Sequence, residues 1–183
     1  MNNQTAQSIL KSWPEDSREA AQLVIDKYGE PDEVTETMLI WHNNAPWVKT
    51  IATRKAHEHL FPVPHIDAVE QFIRYQVPAE KMAELTRYDG SVMYRRTEGL
   101  LSARCHDEEA NFLALNLAHA IITGEKTADE ARQAYLQSMK DFRAGKPTPL
   151  MERLTFQPRS DAADPDHQLA GKEEMEAIEK QNN

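Results

Sequence analysis

Ala68-Val69-Glu70-Gln71-Phe72-Ile73-Arg74-Tyr75-Gln76-Val77-Pro78 is the stretch on which the fold turns. Val69, Ile73, Tyr75 and Val77 share one side of an extended chain, whereas Val69, Phe72, Ile73 and Gln76 fit a helix begun at Asp67. The β-branched content and the stop at Pro78 favour a strand. On the N-terminal side, Val34–His42 and Trp47–Thr53 are rich in large and β-branched residues. Asn43-Asn44-Ala45-Pro46 lies between them, and these residues suit a turn joining two strands. The segment 57–64, with two prolines and no period, is expected to be loop. On the C-terminal side, Pro78 opens a short helix to Tyr88 and Asp89-Gly90 makes a turn. Ser91–Thr97 and Leu100–Cys105 then alternate as a hairpin around Glu98-Gly99.

Helices flank this core. Asp16-x-x-Glu19 is a capping-type start to a helix that Gly29 and Pro31 end. The clearest helix runs from Asp107 to Thr123 and stops at Gly124. Thr127-x-x-Glu130 opens another that reaches Gly145, and the two make an antiparallel helical hairpin. The expected fold is α+β: an antiparallel sheet of about five strands packed against helices, with a C-terminal helical hairpin.

The 183 residues hold 21 Lys+Arg against 30 Asp+Glu, a net charge of −9, with 40% hydrophobic residues. That is enough apolar content for a core, and the acidity argues against nucleic acid and anionic membranes as partners. No apolar run approaches the ~18 residues of a membrane span. The first residues show no signal-peptide pattern, so the expected location is the cytoplasm. From Ser160 to the end there are seven acids and two bases, a net of −5. The expected division is a flexible segment 1–12, one α+β domain over 13–156, and a disordered acidic tail over 157–183. That tail, or the arm carrying Pro147, Pro149 and Pro158, could engage a protein partner.

The densest chemistry lies in His57-Glu58-His59-Leu60-Phe61-Pro62-Val63-Pro64-His65-Ile66-Asp67. Imidazole and carboxylate are ligands for zinc, iron or manganese, so His57, His59, His65 and Asp67 are candidate metal ligands, with His42 as a further one. The spacing matches no established metal motif, and solvated loop histidines are the competing interpretation. On the Asp107–Thr123 helix, Glu109, Asn116 and His119 share a stripe about 100° wide. They are either a polar strut or, with Arg104, the wall of a ligand pocket. Arg95, Arg96 and Arg104 share one hairpin, where an anion or nearby acids could pair with them. Cys105 before His106 is a small buried hydrophobe or a nucleophile near a helix N-terminus. Trp41 and Trp47 are expected in the core. No phosphate-binding Gly-rich loop or Ser nucleophile elbow is present.

Four phrases carry a resemblance: Trp41-His42-Asn43-Asn44-Ala45-Pro46-Trp47, Phe61-Pro62-Val63-Pro64-His65-Ile66-Asp67, Asp89-Gly90-Ser91-Val92, and Asn111 through His119. They are similar to a family of bacterial hypothetical proteins over about Tyr28 to Tyr135. The resemblance implies a bacterial, single-domain protein and assigns no activity, cofactor or site residue. Two functions follow as expectations. The first is a non-catalytic accessory domain that binds a protein or small ligand. The alternative is a metal-dependent hydrolase or oxidoreductase using the His/Asp segment 57–67.

Overall fold

The computed structural model describes residues 5–181. In chain order the helices are α1 (Ala6–Leu10), α2 (Glu15–Tyr28), α3 (Met82–Tyr88), α4 (Glu108–Ile122), α5 (Ala128–Arg143), α6 (Pro149–Glu152) and α7 (Lys172–Gln181). The strands are β1 (Glu33–Val34), β2 (Met38–His42), β3 (Lys49–His59), β4 (His65–Arg74), β5 (Val92–Arg95) and β6 (Leu100–Cys105). They form one antiparallel sheet in the order β1-β2-β3-β4-β6-β5.

The ambiguous stretch is a strand, and the central one: β4 pairs with β3 through Gln71↔Thr50 and with β6 through Gln71↔Ala103. Its sequence fits two periods because both faces are covered, which removes a clean alternation. On one face, Ile73 joins Leu101, Leu113, Leu117 and Ile121 in the larger core cluster. Phe72, one residue away and equally buried, lies beneath the Lys49 ammonium at 4.5 Å and the Arg95 guanidinium at 5.1 Å. Asn111 of α4 reaches down to the sheet, donating to the Val69 carbonyl (3.2 Å) and to Gln71 Oε1 (3.0 Å). A second cluster packs Ala20, Ala21 and Val24 of α2 against Leu39, Trp41, Ala52 and Val69.

Several local expectations change. There are six strands, because residues 35–37 turn the chain: Met38 N–H donates to Thr35 Oγ1 at 2.9 Å and Thr35 N–H to the Met38 carbonyl at 2.9 Å. Segment 57–64 is no continuous loop, since β3 runs to His59 and β4 resumes at His65. The Asp16 cap does not form. Pro14 precedes the first turn of α2, and the buried Ser17 hydroxyl donates to the Arg54 carbonyl at 3.0 Å. Residues 6–10, expected to be loose, form α1, because Ala6, Ile9 and Leu10 make one apolar stripe that is buried. Within the expected tail, Ala162 is buried against the Glu98-Gly99 turn and Asp164 N–H donates to the Arg96 carbonyl at 3.2 Å. The remainder of segment 1–12, residues 1–4, lies outside the described residues, as do residues 182–183.

Other signals form as written. Asp107 caps α4 by accepting from Ala110 N–H at 2.8 Å, and Thr127 with Glu130 closes a reciprocal box on α5. Among the described residues no helix is long and apolar enough to cross a membrane.

Candidate metal centre

The site lies where the β3–β4 hairpin begins. His59 and His65 face each other as the last pair of the ladder, and Asp67 follows two residues along β4, on the side of His65. One nitrogen from each histidine and one Asp67 oxygen all lie within 4.8 Å of one another. His65 Nε2 is 3.1 Å from Asp67 Oδ1, and His59 Nδ1 is 3.4 Å from Asp67 Oδ2. The two His–Asp distances, one to each Asp67 oxygen, fall in the range of roughly 3 to 3.5 Å between atoms bound about 2.1 Å from a common ion, and the trio with a single oxygen lies within 4.8 Å. The Asp67 side chain is 1% exposed and the two imidazoles about one-fifth exposed (19% and 20%), which leaves the centre closed beneath and open above.

Protonation sharpens the geometry. The Val63 carbonyl can only accept, so His65 Nδ1–H donates to it at 2.8 Å. In the neutral ring Nε2 then carries a lone pair, and it faces Asp67 Oδ1, another acceptor. Both atoms are buried and neither has a hydrogen-bond partner. A proton or a metal ion can join them. As a bare ion pair, Asp67 first and Cys105 second push the His65 pKa up to about 11. The two atoms stand 3.1 Å apart as an ion-pair contact.

Outer contacts hold these groups in place. The Ser91 hydroxyl donates to Asp67 Oδ2. Asp89 accepts from Ser91 N–H at 2.7 Å and stands 3.8 Å from His59 Nε2. Burial raises the Asp89 carboxyl above the usual range, and burial likewise raises the Cys105 thiol beside His65. A carbonyl fixing one His tautomer and a hydroxyl fixing the carboxylate are the supports metal ligands commonly have. Ser91, His59 and Asp89 also stand in the order of a nucleophilic triad. The 3.5 and 3.8 Å separations and the Ser91 proton already given to Asp67 speak against that role.

Two proposed ligands fall outside. His57 pairs opposite Asp67 in the ladder, but its side chain is exposed and lines a separate groove with Arg104. His42 is exposed at the end of β2, beside the start of β3, and pairs with Glu33 at 2.6 Å. The four candidate ligand-binding residues are not brought together either. Asn116 is a strut: it donates to the Leu150 and Arg153 carbonyls and accepts from Thr155 N–H and Oγ1. His119 Nδ1 bonds Tyr75 OH at 2.6 Å and its ring stacks on Phe156, 4.2 Å between centroids. Glu109 is exposed at the start of α4, beside Lys27 and Phe112. Arg95 pairs with Glu98, and Arg96 with Asp164 and Asp166. Trp41 and Trp47 are core residues whose indoles donate to the Gly29 carbonyl and to Glu108.

Asp89, Ser91 and Glu108 were not anticipated. Asp89-Gly90-Ser91 has the local pattern of a turn, and only the tertiary fold sets it against His59. Glu108 is an ordinary first-turn acid by sequence, yet it is buried and receives Lys27, Tyr28, Trp47 and Gln71. Burial, then the Glu108 carboxylate, push the Tyr28 phenol up. An acid in the first turn of a helix otherwise apolar on every side was the available signal. No family model, no curated protein and no solved structure matches the chain.

Proposed function

We propose that the protein binds a divalent transition metal through His59, His65 and Asp67, with coordination positions left for water and a small ligand. The observation that carries this is the partnerless pair, His65 Nε2 and Asp67 Oδ1, buried 3.1 Å apart beside a His59 nitrogen. Two imidazoles and a carboxylate suit zinc, iron or manganese. Structural zinc sites close on four protein ligands, whereas three ligands with one-fifth-exposed imidazoles correspond to a working site. A cavity of about 180 Å³ bounded by Pro62, Val63, His65, Cys105, Ala110 and Tyr135 offers room for a small ligand next to His65. A metal there would polarise a ligand or lower the pKa of a bound water, which supports hydrolysis; an iron or manganese ion would support oxidation.

A non-catalytic, partner-binding role rests on the acidic C-terminal segment. Part of that charge, at Asp164 and Asp166, pairs with Arg96 of the same chain, so the metal role is placed first. Cobalt(II) titration of the metal-stripped protein tests it. The d–d absorption should saturate at about one equivalent, disappear in His65→Ala and persist in His57→Ala. An absent band in the wild type, or an unchanged band in His65→Ala, would overturn the assignment.

A further inference from the structure

We infer that Arg104, Arg54, Lys55 and His57 form a groove for a small organic oxyanion with an apolar body, separate from the metal centre. The groove encloses about 430 Å³, within the roughly 300–1,000 Å³ usual for small-ligand sites. Pro14 and Met38 supply its apolar wall, and no Asp or Glu lines it.

The backbone explains why so many basic residues meet there. A regular strand sends successive side chains to opposite faces. The register shift in β3 between Ala52 and His57 breaks that alternation, and Thr53, Arg54, Lys55 and His57 all border the same groove. Arg104 reaches it from β6, with β4 between. Its Nε is buried and has no hydrogen-bond partner, so no protein acceptor holds the guanidinium through that atom. Glu70, directly opposite Arg104 in the ladder, accepts instead from the Ser102 hydroxyl at 2.7 Å. Among the described residues Arg54, Lys55 and Arg104 take part in no ion pair, while Arg87, Arg95, Arg96 and Arg159 each have a carboxylate. In a chain of net charge −9, three basic side chains converging without an acid among the groove's lining residues leave a local positive field. A planar guanidinium suits two oxygens of a carboxylate or phosphate, and Pro14 and Met38 suit the body attached to it.

The test is a titration of the ¹⁵N-labelled full chain with phenyl phosphate and, separately, benzoate, followed by amide shifts. At least one probe should give saturable shifts clustered at residues 37–38, 53–57 and 104, and comparison of the two identifies the oxyanion. Arg104→Gln should weaken binding by about tenfold. Arg54→Gln, at an exposed position where folding is not at risk, should weaken it severalfold. His65→Ala should bind the probe as the wild type does, which separates this site from the metal. Absence of saturable groove shifts with both probes, or an affinity unchanged in both arginine variants, would overturn the proposal.

Discussion

Single residues show how this fold uses buried polarity. Asn116 uses its full side-chain amide: two donated bonds at 2.9 and 2.8 Å and two accepted at 2.8 and 3.0 Å tie α4 to residues 150–155. Asn116→Ala would strand two carbonyls and an amide, and the expected loss is about 3 kcal/mol by urea denaturation. A loss under about 1 kcal/mol would mean water replaces the strut. His119 behaves differently. Burial lowers its pKa below the ordinary 6.5. The unfolded chain therefore takes the proton first. Stability from this group is complete above pH ~6.5 and declines as pH falls to the folded-state value. The stability difference between wild type and His119→Phe should be flat above pH ~7 and shift against the wild type between about pH 6.5 and 5. A pH-independent difference would contradict the assignment.

At the scale of elements, what was legible followed from local chemistry. Asp107 and the Thr127–Glu130 box set helix starts because their partners lie three residues away, and both form. The strand at 69–74 was legible only weakly, since burial on both faces erases alternation. The candidate ligands His59, His65 and Asp67 could be named, because a short hairpin keeps sequence neighbours together in space. His57 could not be separated from them, as it lies two residues from His59 and pairs opposite Asp67, so neither spacing nor strand parity sets it apart. Asp89 and Ser91 arrive from a segment more than twenty residues away, where nothing local marks them. The strap over residues 159–164 was hidden for the same reason. Gly99, at φ +65°, accommodates it: an added Cβ would lie 2.2 Å from the Ala162 carbonyl carbon. Gly99→Ala should cost about 2 kcal/mol or more and speed tryptic cleavage at Arg159. Gly29→Ala has similar strain (φ +82°) and open space, so it should lose stability without faster cleavage there. Equal protection of Arg159 in wild type and Gly99→Ala would show that the strap does not depend on this contact.

Across the whole molecule, the acidic total conceals an arrangement with local opposites. Asp164 and Asp166 meet Arg96, the buried Glu108 meets Lys27 at the surface, and the groove at Arg104 keeps its positive groups free of carboxylates. Two core clusters, one around α4 and one around α1 and α2, pack against the sheet, in whose ladder His59 stands opposite His65. The candidate metal centre is thus a product of the sheet rather than of a flexible loop. The most direct measurement of this account is the metal content of the untagged full chain after incubation with zinc, iron(II) or manganese(II) and removal of free ion, for wild type beside the isosteric Asp67→Asn. The account predicts about one tightly held ion per chain in the wild type and less than about one-tenth in the variant. Negligible metal in the wild type with every ion, or equal metal in both proteins, would contradict it.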